Sequence, residues 1–171
     1  ITYEGLDIPA RTSSRHVAEC MLREDYERNT DEPFAIRLFY SLPHTHALGT
    51  RVFLQAVGGP RDGEMLLDVR GYNGEARGTF HDPPIDLAGI EGFRFGCEFD
   101  NPRAESVGWG FGDQEMCEML GFVESAAAFE SRIPETTTRT TDGDMPEHTG
   151  PCENFVIPWQ ALLDLRKQPA G

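Results

Sequence analysis

The sequence predicts an all-β fold stapled by disulfides, on three observations. Short apolar runs alternate with polar or small residues at the period of a strand. Clusters of Gly, Pro, Asp and Asn punctuate those runs at short intervals. Four cysteines, Cys20, Cys97, Cys117 and Cys152, are even in number with no CxxC pair among them. Many short strands at this spacing make an antiparallel β-sandwich of jelly-roll type, a single domain over residues 1–171.

Along the chain, helix is expected only near the ends: from Arg15 to Arg28, and in "PWQALLDLRK" at the C-terminus. Strands are expected over Phe34–Leu42, Arg51–Val57, Glu64–Arg70, Phe93–Phe99, Glu105–Phe111 and Met116–Ser125. In "FRFGCEF", Phe93, Phe95, Cys97 and Phe99 fall on one face of a strand, which is therefore buried. "GGPRDGE", "GYNGEARG" and "HDPP" have the composition of turns. Residues 131–151, rich in Thr, Pro and acidic side chains and poor in apolar ones, are expected to form a long surface loop.

The bulk numbers narrow the function. At 171 residues and 39% hydrophobic the chain can close one core. A formal net charge of -14 argues against a nucleic-acid surface, which needs an excess of Lys and Arg, and suits solubility or attraction of cations, metal ions included. The apolar runs are too short to span a bilayer. The chain starts at Ile1 with neither an initiating Met nor a signal peptide, which predicts a processed or excised piece of something longer. Two disulfides imply an oxidising compartment, and four cysteines allow three pairings; buried free thiols are the alternative.

The chemistry lies in "LPHTHALG" and "GFGDQEMCEM". Residues two apart on a strand share a face, so His44 and His46 project in parallel and their imidazoles can reach one metal ion. Met116 follows a turn containing Gly and Asp. A thioether is a poor ligand for Zn²⁺, Ca²⁺ or Mg²⁺ but suits Cu(I). Two neutral imidazoles and one thioether leave a fourth position open for substrate or O₂.

"HTHALG" and "DQEMC" together resemble the second, methionine-bearing domain of the copper type II, ascorbate-dependent monooxygenases, the group of peptidylglycine α-hydroxylating monooxygenase and dopamine β-hydroxylase. The resemblance spans roughly Ile8 to Cys152. It implies one copper ion per chain, cycling between Cu(I) and Cu(II), with His44, His46 and Met116 as its ligands and as the catalytic centre. It implies the bridges Cys97–Cys117 and Cys20–Cys152. It also implies O₂ and a small-molecule substrate hydroxylated at a C–H bond, with ascorbate or another reductant as co-substrate. An electron-transfer copper domain would lie upstream or act in trans, and the protein would be extracytoplasmic, secreted or periplasmic.

The chain departs from that family in two ways. It has five histidines, and after His44 and His46 the remaining His16, His81 and His148 are scattered, so a second, three-histidine site is not supported. Peptidylglycine enzymes carry an Arg two residues before the first ligand His, where this chain has Leu42. They carry Asn and Tyr after the Met-Cys pair, where it has Glu118, Met119 and Leu120. Glu118 would repel a carboxylate, so an amine or a neutral apolar substrate fits better than a glycine-extended peptide.

Around the ligands, Asp113 and Glu115 are expected to shape the turn before Met116 or to hydrogen-bond a ligand imidazole. Glu118 and His81 are further neighbours of the site, His81 otherwise being a turn residue. His16 and His148 are expected to be solvated, and Trp109, Trp159, Met21 and Met119 to pack. "TDGDMPE" lacks the full ligand series of a Ca²⁺ loop. Two alternatives stand beside the enzyme: a non-catalytic module for Cu(I) storage, sensing or delivery, and a metal-free adhesion or ligand-binding domain.

Overall fold

The computed structural model describes residues 1–71, 77–142 and 145–165. Its elements run β1 (Thr2–Tyr3), β2 (Asp7–Ile8), β3 (Thr12–Cys20), α1 (Arg23–Thr30), β4 (Arg37–Thr45), β5 (Gly49–Val57), β6 (Met65–Arg70), β7 (Thr79–Asp86), β8 (Gly92–Asn101), β9 (Val107–Gly108), β10 (Cys117–Glu124), β11 (Ala127–Ile133), β12 (Thr138–Asp142), β13 (Met145–Thr149), β14 (Glu153–Pro158) and α2 (Trp159–Leu165). The protein is all-β and mostly antiparallel. One six-stranded sheet has the order β14-β11-β1-β10-β4-β7 and the other β12-β13-β3-β8-β5-β6; β2 and β9 form a small ribbon. Two pairings are parallel, β1 with β11 and β13 with β3.

The period-2 pattern explains the core. Strand β8 lies between β3 and β5 in the centre of its sheet, and Phe93, Phe95, Cys97 and Phe99 all turn inward and are buried. They meet Tyr3, Leu38, Met119, Ala127 and Ile133 of the other sheet in one apolar cluster. Two disulfides staple this core. Cys97–Cys117 ties β8 of one sheet to β10 of the other, and Cys20–Cys152 ties the end of β3 to the segment before β14.

The two outer faces differ. On β8's sheet, Arg15, Glu98, Arg51 and Asp68 form a ladder of ion pairs: Arg15–Glu98 at 2.7 Å, Arg51–Glu98 at 3.0 Å and Arg51–Asp68 at 2.6 Å. On β10's sheet, Tyr40 packs against Phe80 and Phe122 with ring centroids 4.7 Å and 5.6 Å apart, and Phe80, Leu120 and Phe122 are exposed.

Several expectations are corrected. Residues 131–151 are not one long loop: β11 runs on to Ile133, and β12 and β13 form a hairpin at the edge of β8's sheet. β-Branched Thr138 and Thr140 favour extended backbone, and an edge hairpin needs little apolar surface, so low hydrophobicity was no sign of a loop. The helix expected over Arg15–Arg28 begins only at Arg23, because Arg15–Cys20 pairs with β8. "HDPP" lies inside β7, with a cis Asp82–Pro83 bond, so His81 is a strand residue. Within Glu105–Phe111 only Val107–Gly108 is strand. The C-terminal helix is described to Leu165, and "GYNGEARG", "TDGDMPE" and the end of "PWQALLDLRK" fall partly outside the described residues.

His16 and His148 are buried rather than solvated, stacked with centroids 4.4 Å apart, and Tyr3 and Phe99 meet the His16 ring edge-on. Burial, then the neighbouring His148, depresses the His16 pKa to about 3. Burial, then the charge of Arg139, lowers that of His148. Trp109, Trp159 and Met21 are exposed at one-third or more of their surface, whereas Met119 is buried in the core.

Candidate metal centre

Strand β4 carries His44, and the chain then crosses from one sheet to the other through His46–Leu48 into β5. Two other positions of "HTHALG" have structural work. Thr45 is buried, and a Cβ on Gly49 would come 2.1 Å from Thr45 Oγ1, so only glycine lets the crossing close this tightly.

Register brings the ends of the two motif strands side by side. β10 pairs antiparallel with β4, His44 opposite Glu118 and Thr45 opposite Cys117. Directly opposed residues share a face, so His44 and Glu118 lie on one side; His46 and Met116 are the residues next beyond the last paired position, Thr45 opposite Cys117. Met116 is buried, yet it lies outside the apolar cluster that takes in Met119. Cys117 points the other way, inward to Cys97, so the disulfide anchors the residue beside the thioether.

The two imidazoles are neighbours. Their centroids are 5.2 Å apart with planes at 76°. A metal–nitrogen bond of about 2 Å puts a ring centroid about 3.1 Å from the ion, and a 5.2 Å separation then matches a ligand angle of roughly 115°. The stacked His16–His148 pair, with planes only 23° apart, cannot place one ion in both ring planes.

The proton on His46 is fixed by its neighbour. His46 Nδ1 lies 2.7 Å from the carbonyl oxygen of Gln114. A carbonyl only accepts, so Nδ1 carries the hydrogen and Nε2 keeps its lone pair, which is how a backbone carbonyl prepares a metal-binding histidine. His44 Nδ1 is buried and has no hydrogen-bond partner, an orphan that a ligand would satisfy. Among the described residues no three His, Cys, Asp or Glu side chains cluster to hold an ion.

The other predicted neighbours are placed as follows. Glu115 is fully buried, and its carboxylate accepts the backbone N–H of His46 at 2.8 Å and of Leu48 at 2.7 Å; it grips the crossing rather than an imidazole. Asp113 is exposed, and its backbone carbonyl accepts from Arg103 at 2.6 Å. Glu118 sits across from His44. His81 Nε2 is 2.9 Å from Ser41 Oγ, and Ser41 alternates to the face opposite His44. Gln114 was not singled out from sequence: it acts through its backbone carbonyl, which every residue possesses. Its side chain accepts the N–H of Gly108 at 3.0 Å and steadies the same turn.

No protein-family model matches this chain, and no curated protein matches it.

Proposed function

We propose that this chain is the jelly-roll, catalytic-copper domain of a monooxygenase, holding one copper ion through His44, His46 and Met116. The observation that carries this reading is the hydrogen bond from His46 Nδ1 to the Gln114 carbonyl, which leaves Nε2 free in a ring that neighbours His44. Copper bound there supplies O₂-dependent hydroxylation of a substrate C–H bond, with electrons from ascorbate or another reductant delivered through an electron-transfer copper domain upstream or in trans. The chain's own residues set the conditions. Gln114 holds the proton on Nδ1, Glu115 fixes the crossing, and the Met116 thioether favours the reduced metal. Leu120 and Phe122 continue the face toward Tyr40 and present an apolar surface to substrate, while Glu118 disfavours a carboxylate. Two disulfides support an oxidising, extracytoplasmic compartment; no helix is long and apolar enough to cross a membrane among the described residues.

The test is X-ray absorption at the copper edge on copper-loaded, ascorbate-reduced protein, beside Met116→Ile. A sulfur scatterer near about 2.3 Å that vanishes in the variant supports the ligand set; a wild-type shell without sulfur overturns it. Copper bound 1:1 by these residues, with no O₂ consumption when reductant and the electron-transfer domain are supplied, would favour Cu(I) storage, sensing or delivery instead.

A further inference from the structure

The β12–β13 hairpin is joined to the body along one flank. β13 meets β3 over three register pairs, Glu147 with Arg15, His148 with His16 and Thr149 with Val17, and β12 pairs with β13 alone among the described residues. Glu147 reaches Arg15 at 3.5 Å and Arg94 at 2.9 Å, part-exposed ion pairs of the kind that add little. The buried contact of the hairpin with the body is the His16–His148 stack. The chain is fixed on either side of the hairpin. Ile133 O accepts the N–H of Glu4 and of Gly5 at 2.9 Å, and Cys152 is bridged to Cys20. Both ends therefore stay attached if the hairpin leaves β3.

Packing alone does not call for imidazoles here. Both ring nitrogens of His16 and Nδ1 of His148 are buried without a hydrogen-bond partner among the described residues, a cost that Phe or Leu would not incur. What an imidazole adds is a proton gained in mild acid, and the surroundings do not compensate for its charge. Tyr3 of β1 meets His16 edge-on, its hydroxyl sharing a hydrogen bond with Thr136 at 3.1 Å. β8 presents Phe99 and the bridged Cys97. On β12, Arg139 lies opposite His148 and adds a positive charge, itself paired with Asp7. The carboxylates of Glu147 and Glu98 alternate to the other face, where they meet Arg94 and Arg15. A charged ring is thus faced by apolar surface and a like charge while the hairpin is docked, and by water once it lifts.

We propose that the β12–β13 hairpin is an acid-released latch: protonation of the His16–His148 stack lifts it from β3 and bares that strand's edge while the rest of the sandwich holds. The sign follows from burial. His16 is held at a pKa of about 3 when docked and returns toward about 6.5 in water. Docking is therefore fully favoured above about pH 6.5 and loses favour as pH falls toward the docked value. Between about pH 7.5 and about pH 5 the opening constant rises about 30-fold through His16 alone. His148, lowered by the same burial, adds to the rise. Carboxylates ordinarily titrate near about pH 4, below that window. The inference stands independently of the copper reading.

The experiment follows amide hydrogen exchange by NMR from about pH 7.5 to about pH 5, each rate divided by its intrinsic rate at that pH to give an opening constant. An undocked two-stranded hairpin is marginal in water, so its amides report the release. The proposal expects the opening constants of β12 and β13 to rise by about 30-fold or more, starting near about pH 6.5, while those of Phe95 and Cys97 in the centre of the sheet rise far less. Constant protection in the hairpin overturns it. A rise shared equally by β8, which is unfolding of the whole molecule, overturns it too, as does a rise that begins only below about pH 5, where carboxylates titrate. His16→Phe keeps a ring in the stack without its proton and should cut the rise by about 10-fold or more; a rise of wild-type size in that variant overturns the stack as the trigger. If the variant does not fold, the onset and the contrast with β8 in the wild type decide.

Discussion

The Glu115 carboxylate accepts the backbone N–H of His46 at 2.8 Å, so the residue preceding one candidate ligand holds the backbone of another. Because its second oxygen takes Leu48 N–H at 2.7 Å, one buried side chain closes the whole crossing between the sheets. Glu115→Ala leaves two backbone donors without their acceptor. It should cost about 2–4 kcal/mol in denaturant unfolding and weaken Cu(I) binding by about 10–100-fold, as loss of a supporting contact does. A competition titration against a Cu(I) chelator reads the second effect, and unchanged affinity would detach Glu115 from the site.

The tautomer of His46 can be read directly. In ¹⁵N-labelled, metal-free protein above the imidazole titration, His46 should show a protonated Nδ1 and an unprotonated Nε2, because only Nδ1 faces the Gln114 carbonyl. The opposite tautomer would remove the main support for Nε2 ligation.

Acid stability should be governed in part by the buried imidazole stack. His16 has a folded-state pKa of about 3 against an ordinary value of about 6.5. A group whose pKa is depressed by folding stabilises fully above its unfolded value, and that stability is lost as pH falls from about 6.5 toward the folded value. His16→Phe cannot titrate and should flatten the pH dependence of unfolding free energy between about pH 6 and 4, whatever its effect at neutral pH. An unflattened curve would place the acid sensitivity elsewhere.

Glu98 should be sensitive from the carboxylate side. Burial raises its pKa, but hydrogen bonds from Arg15 and Arg51 outweigh that and hold it below the usual carboxylate range. Its contribution is therefore present above the unfolded value and lost as pH falls below it. Glu98→Gln should destabilise by about 1–3 kcal/mol at neutral pH, since two guanidinium groups lose their shared counter-charge. Chemical denaturation checks this, and a loss under about 0.5 kcal/mol would show the ladder to be incidental.

Replacing both Cys97 and Cys117 by Ala should cost about 3 kcal/mol, the chain-entropy value for a loop of this size. The cost should exceed that for the metal-free fold alone when copper is present, because the bridge anchors the residue beside Met116. Equal costs with and without copper would separate the staple from the site.

The parts of this molecule that sequence made legible are those where side-chain chemistry repeats with a period. Phe93, Phe95, Cys97 and Phe99 alternate because one face of β8 is core. Cys97 and Cys117 are bridged as the family resemblance implies, and the motif strands β4 and β10 are adjacent. Three features were not legible. Gln114 works through a carbonyl that carries no residue signature. The hairpin of β12 and β13 hides behind a composition that lacks apolar residues, since an edge needs few of them. His16 and His148 look like surface residues until a parallel pairing, β13 with β3, brings positions far apart in the chain face to face.

The passage of β4 into β5 through His46 has a mechanical meaning. Each imidazole belongs to a strand end where two layers part company, with Glu115 as the pin and Cys97–Cys117 as the crossbar. A shear of one layer over the other would therefore be resisted at this one point, where the pin and the crossbar act within a few residues of each other.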